Sequence, residues 1–178
     1  MISDEEIAAA WAAFDPEAPD KTLAYFADVS AANPDDARAV FEYASALDSA
    51  GREEEAAREY ERALALGLPD QLRQNLRIQY GSTLRNLGRH DEAVAVLREA
   101  YWSETEDLAA PAFLALALAS AGRGDEGVGV LINTLLSSVA DPRLRRYQRS
   151  LNAYAGELVE DLNAAYQEKL RQDSSDSR

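Results

Sequence analysis

SAGREEEAAREYERAL, residues 49–64, decides the fold because the same pattern returns as NLGRHDEAVAVLREAY at 86–101 and as SAGRGDEGVGVLINTL at 120–135. Each copy carries Gly-Arg at one place (Gly51, Gly88, Gly122), so the repeat step is 37 and then 34 residues. An acidic pair follows (Glu54 and Glu55, Asp91 and Glu92, Asp125 and Glu126), then a small residue (Ala56, Ala93, Gly127). A glycine supplies the left-handed cap that stops one helix, and acidic residues suit the first turn of the next, where free N–H groups and the dipole favour negative charge. The stretch therefore predicts a helix, a tight turn and a second helix, three times over.

Upstream of each turn lies VFEYASALDSA, RIQYGSTLRNL or PAFLALALASA. A large residue (Tyr43, Tyr80, Leu114) is followed by a small one (Ala44, Gly81, Ala115) and, three positions on, by Leu47, Leu84 or Leu118. Large beside small at fixed helical offsets lets two helices approach closely. Downstream, Ala56, Tyr60 and Ala63, like Ala93, Leu97 and Ala100, sit at i, i+4 and i+7 and give the second helix one apolar face. The unit is an antiparallel helix pair, and three extra residues near 71–73 are expected to lengthen the first helix of the second pair.

A 34-residue helix-turn-helix with small residues at fixed places and a Gly-acidic turn resembles the tetratricopeptide repeat family. The resemblance implies an all-α, right-handed α-solenoid of about nine helices, with repeats at 37–70, 74–107 and 108–138. The third copy departs from the pattern. It has Gly127 and Gly129 inside the second helix, which predicts a weaker helix by about 1 kcal/mol per Gly, and Thr134 where Ala63 and Ala100 stand. Pro69 nearly fits the inter-repeat proline, whereas residues 103–107 contain none.

The flanks read as helical caps. In residues 1–36, Ser3 or Asp4 caps a helix with Ile7, Trp11 and Phe14 on one face, DPEAPD breaks the chain, and a second helix ends at Asn33-Pro34. In residues 139–172, Asp141-Pro142 starts one long capping helix with Leu144, Tyr147, Leu151, Tyr154 and Leu158 at 3-4 spacing. Residues 173–178 read as a disordered tail. Terminal caps are needed because the end of a helical stack is otherwise apolar and open.

Charge and composition narrow the function. The 178 residues carry a formal net charge of −14, with 15 acidic against four basic residues in 1–59 (net −11) and 17 against 14 in 60–178 (net −3). Such a field repels nucleic acid and anionic membranes and steers basic partners to the N-terminal end. No cysteine is present, so disulfides and thiolate ligands are excluded. The acidic start MISDEEIAAAW lacks the form of a signal peptide, and the longest apolar run, near 111–121, is about half a bilayer span. A cytoplasmic protein is expected, and 16 Arg against Lys21 and Lys169 suggest a GC-rich bacterial genome.

Gly122, Gly124 and Gly127 match the G-x-G-x-x-G of a dinucleotide turn. The site would need a preceding strand, and Asp125 and Glu126 would stand where the diphosphate sits. Arg123-Gly124-Asp125 is an adhesion-type tripeptide by the same accident. The single histidine, His90, lies in a turn without a nucleophile elbow nearby. The reading is non-catalytic, with no cofactor and no metal.

In members of the resembled family, the first helix of each pair lines a concave groove that holds a partner peptide or helix. By position, the lining here is Arg38, Phe41, Glu42 and Ser45; Asn75, Ile78, Gln79, Ser82, Arg85 and Asn86; and Ala109, Ala112, Phe113 and Leu116. Chaperone-binding members clamp a carboxylate with Lys and Asn, where this chain has Phe41 and Ser45. The expected function is a scaffold for a protein or peptide partner. The open alternative is a structural module whose C-terminal helix covers Phe113 and Leu116, or which pairs two copies through Tyr147, Leu151, Tyr154 and Leu158.

Overall fold

A computed structural model describes residues 2–103 and 107–176. Those residues form eleven helices and no strand. They are α1 (Asp4–Ala12), α2 (Asp20–Ala32), α3 (Ala37–Ser49), α4 (Glu53–Leu66), α5 (Asp70–Asn86), α6 (His90–Tyr101), α7 (Ala109–Ser120), α8 (Gly124–Ser138), α9 (Pro142–Arg145), α10 (Gln148–Leu158) and α11 (Glu160–Asp176). Two compact units result, residues 1–96 and 97–178. The proline-free stretch noted in the sequence falls largely on residues 104–106, outside the described residues.

The three turns have one geometry. Gly51, Gly88 and Gly122 stand at φ of 73°, 76° and 76°, where an L side chain is strained. The amide after each glycine reaches back to close the helix: Arg52 N–H to Leu47 O, Arg89 to Leu84 and Arg123 to Leu118, at 2.9, 2.9 and 2.8 Å. This is the six-to-one bond of a Schellman cap. The arginine then pairs with the glutamate three residues on, at 2.5 Å for Arg52–Glu55, 2.6 Å for Arg89–Glu92 and 2.5 Å for Arg123–Glu126. Conserving Gly-Arg-x-x-Glu along the chain is thus explained by local mechanics, and the preceding element at Gly122 is helix α7 rather than a strand.

Residues 1–96 start with a capping box, in which the Glu6 amide donates to the Ser3 hydroxyl and Glu6 accepts from the Ser3 amide at 2.9 Å. Helix α2 packs on α3, α3 on α4 and α4 on α5. The buried faces are the small-large patterns of the sequence: Ala44, Leu47, Ala56, Tyr60, Ala63, Leu76 and Leu84, with Phe26 from α2. Trp11 closes this unit against Phe14 and Phe26, with ring centroids 5.7 and 5.2 Å away. Helix α5 has 17 residues against 13 in α3, so the extra residues do extend it.

In residues 97–178, α7 packs on α8 and α8 on α10. Leu114, Leu118, Val130 and Leu162 form the centre. The single long C-terminal helix expected from the 3-4 spacing is instead three helices, which raises the count from nine to eleven. The breaks fall at Arg146-Tyr147 and at Val159, whose side chain is buried. The bend at Val159 separates two tasks: α10 stacks on α8, while Tyr166 and Lys169 of α11 reach Trp102 (centroids 5.1 Å) and Glu99 (2.9 Å). Helix α11 runs to Asp176, into the segment read as a disordered tail.

The two odd glycines of the third copy are also corrected. A Cβ on Gly127 would lie 2.9 Å from the Ala115 carbonyl oxygen, and one on Gly129 would lie 2.6 Å from Val159 Cγ1 and 2.9 Å from Leu158 Cβ. They are contact points where α7 and α10 press against α8, not simply weak spots in a helix. A substitution at Gly129 to Ala is expected to lower the melting temperature of the C-terminal unit in calorimetry, because a flexible side chain cannot yield on all sides of a packed core.

Candidate functional site

Three helices of the N-terminal unit converge on a cleft of about 540 Å³. Helix α3 presents Arg38, Phe41, Glu42, Ser45 and Asp48, all on one face at i, i+3, i+4, i+7 and i+10. Helix α5 contributes Leu72, Asn75 and Gln79, and α1 contributes Ile7 and Trp11. Asp36 fixes the start of α3 by accepting the Arg38 amide at 3.0 Å, which sets the rotation of this face.

Glu42 anchors one end. Its carboxylate is buried and holds two partners: the Trp11 indole N–H donates to Oε2 at 2.6 Å, and Arg38 Nε sits 2.7 Å from Oε1. Glu42 thus pins the N-terminal helix across the first repeat. Phe41, Glu42 and Ser45, read from the sequence as groove lining, are buried: Glu42 is bonded by Trp11, Phe41 packs on Tyr60 and Ser45 bonds to Gln79. Sequence reasoning assigned Ile7 and Trp11 to a cap and missed them as a cleft wall; their i, i+4 spacing opposite the groove helix was the available signal.

The floor is a polar network between repeats. The Ser45 hydroxyl donates to Gln79 Oε1 at 2.8 Å, and the Tyr60 hydroxyl donates to the same oxygen at 2.9 Å while lying 3.4 Å from Asp48 Oδ2. Burial pushes the Tyr60 phenol well above its ordinary range, so it stays a donor at any physiological pH. Burial also raises the Asp48 carboxyl, as does nearby Glu53, against the hydrogen bonds from Thr83 and Tyr60 that lower it. A carboxyl with a raised folded pKa favours folding most when protonated, and that contribution is lost as pH rises through the folded value. Asp48→Asn is therefore expected to raise the melting temperature at pH 7, and the gain should vanish below about pH 3.9, the ordinary aspartate value. Melting curves across pH 3 to 8 check it.

Two amides are left over. Gln79 has its oxygen occupied and its NH₂ without a partner, and Asn75, one turn earlier on α5, makes no side-chain hydrogen bond at all among the described residues. Both border the cleft, half-buried. Of the remaining positions on α5, Ile78 is buried, Ser82 and Arg85 are half-buried, and Asn86 donates to Glu53 at 2.9 Å on the surface. On α7, Leu116 and Ala112 are exposed, while Phe113 and Ala109 are half-buried. Tyr147 and Tyr154 are exposed; Leu151 and Leu158 are half-buried, with Leu158 close beside Gly129.

Among the described residues no group of three or more His, Cys, Asp or Glu is placed to hold a metal ion. His90 opens α6, half-buried. No helix among them is long and apolar enough to cross a membrane.

A search of curated proteins and a search of solved structures each returned no match. A protein-family model described as Tetratrico peptide repeat matches residues 37–158, which spans α3 to α10 and all three Gly-Arg turns. The family serves typically as a non-catalytic scaffold that mediates protein–protein interaction. With the match covering more than half of its length, and with three Schellman-capped helix pairs in an all-α fold of the solenoid class, the chain belongs to the tetratricopeptide repeat family.

Proposed function

We propose that this protein is a scaffold that holds an extended segment of a partner protein in the cleft between α1, α3 and α5. The observation that carries the reading is the free amide pair, Asn75 and the Gln79 NH₂, beside a network that already fixes the Gln79 oxygen. An amide offers a donor and an acceptor together, which matches the main chain of an extended peptide, and a half-buried one gains by being paired. Because the Gln79 side chain is held on one side, little rotamer freedom is lost when a ligand arrives.

The partner segment has a stated chemistry. Ile7, Trp11 and Leu72 give the cleft an apolar wall, and Arg38 is neutralised by Glu42, which leaves Asp48 as the unbalanced charge. A segment with an apolar residue beside a basic one fits, and the net −11 of residues 1–59 would speed its arrival.

Selection of 12-residue peptides from a random display library tests the reading. Enriched peptides should carry Lys or Arg next to an apolar residue and should lose about tenfold in affinity when Asn75 and Gln79 are both replaced by Ala. Circular dichroism should show unchanged helix content. Binding that survives this substitution, with the fold intact, refutes the cleft.

A further inference from the structure

One apolar face of α8 is bare. In the first repeat, the face of α4 formed by Ala57 and Tyr60 is buried, 2% and 0% exposed, because α5 lies on it: Tyr60 meets Tyr80 at 5.9 Å between ring centroids and bonds to Gln79. The matching residues of α6, Val94 and Leu97, are equally buried, at 2% and 0%. On α8 the same register positions are Val128 and Leu131, and they are 51% and 45% exposed. Leu135, one turn further along that face, and Val139, just past the helix end, are each 45% exposed.

The reason is the seat of α10. It packs at Gly129, the position that corresponds to surface-exposed Arg58 of α4 and Ala95 of α6. Helix α10 therefore covers what is the outer face in the other repeats and leaves the stacking face bare. Helix α11 does not fill the gap, since Tyr166 and Lys169 engage Trp102 and Glu99.

We infer that this face is a dimer seam on which α8 of a second copy lies antiparallel across a twofold axis near residue 133. The seam is self-complementary in that orientation: Leu131 falls opposite the other copy's Leu135, and Val128 opposite its Val139. Charge points the same way. Asp125 at the start of α8 is exposed and unpaired, and the twofold brings it toward the segment that follows α8 on the other copy, where Asp141 is already paired with Arg143 at 2.7 Å and the exposed Arg145 and Arg146 have no ion-pair partner among the described residues. A parallel arrangement would set acid on acid and arginine on arginine, and it would align the helix dipoles unfavourably. The site is distinct from the cleft between α1, α3 and α5.

A helix of 15 residues is about 22 Å long, so the seam is narrow and a micromolar dimer is expected. Sedimentation velocity from about 1 to 200 μM should show a reversible monomer–dimer equilibrium. Leu131→Glu should weaken it by about 100-fold, since a charge is then placed at the centre of an apolar contact. Asp125→Arg alone, or Arg145→Glu with Arg146→Glu, should each weaken it by about tenfold, and the combination of all three should restore it. These three positions are on the surface, so the swap reads association with folding held constant. A wild type that stays monomeric at the highest concentration overturns the inference. So does a dimer that resists Leu131→Glu but dissociates with Tyr154→Arg, which would put the contact on α10 instead.

Discussion

Tyr60→Ala is expected to destabilise the N-terminal unit by about 3–5 kcal/mol, the range for removing a fully buried aromatic side chain. Tyr60 ties the first repeat to the second through the Tyr80 ring and the Gln79 amide oxygen. Its ring packs on Phe41 at 6.2 Å and on Tyr80 at 5.9 Å, and its hydroxyl serves Gln79 and Asp48. The substitution opens a cavity between α3, α4 and α5 and also removes one of the two donors that hold the Gln79 oxygen. Tyr60→Phe separates the two effects. It keeps the packing and loses the hydrogen bond, so about 1 kcal/mol is expected. Urea unfolding curves should give both values with an unchanged slope, because the surface exposed on unfolding hardly differs. Equal losses for the two variants would mean that the hydroxyl rather than the ring carries the contact. The peptide cleft should respond as well, since Tyr60→Phe frees Gln79 to rotate.

The second large effect concerns sign as much as size. Helix propensity alone says that Gly127→Ala should stabilise α8 by about 1 kcal/mol. The tertiary contact says the reverse. The new methyl would stand 2.9 Å from the backbone oxygen of Ala115, and backbone cannot swing aside as a side-chain tip can. Overpacking of this kind costs about 1–3 kcal/mol, so a net loss is expected, and the α7–α8 pair should separate slightly. Thermal unfolding followed by circular dichroism decides between the two. A rise in the melting temperature would mean that the glycine is no more than a poor helix former. Gly124→Ala is the internal control: nothing lies within 4 Å of its Cβ position, so propensity should win there.

The repeats were legible because they depend on local rules. A glycine at positive φ, an acidic first turn and an i, i+4, i+7 stripe each act within a few residues, and each left the same mark three times. The lengthened α5 and a helix cap at Ser3 or Asp4 were readable for the same reason, and the structure places the cap at Ser3. Arg38, Phe41, Glu42, Ser45, Asn75 and Gln79 were grouped as groove lining through the family resemblance, and in the structure they border one cleft. Whether they face solvent was not legible. That depends on Trp11 finding Glu42 across 31 residues of chain, a contact with no periodicity to announce it.

The C-terminal third shows the boundary between the two kinds of information. Its apolar spacing specified helix, and helix it is. Spacing did not register that the helix breaks at Val159, or that α10 would choose the outer face of α8 over the stacking face. Gly129 makes that choice sterically open, and a glycine reads in sequence as a weakness, because a missing side chain shows nothing of the neighbour it admits. Sequence by itself determined the class of fold, the helix pairs and their turns, since those follow from interactions within a single turn or hairpin. Only the tertiary structure decided which faces are covered, which amides are left unpaired and which face of α8 stays bare, since these depend on which distant surface arrives first at a face that several could occupy.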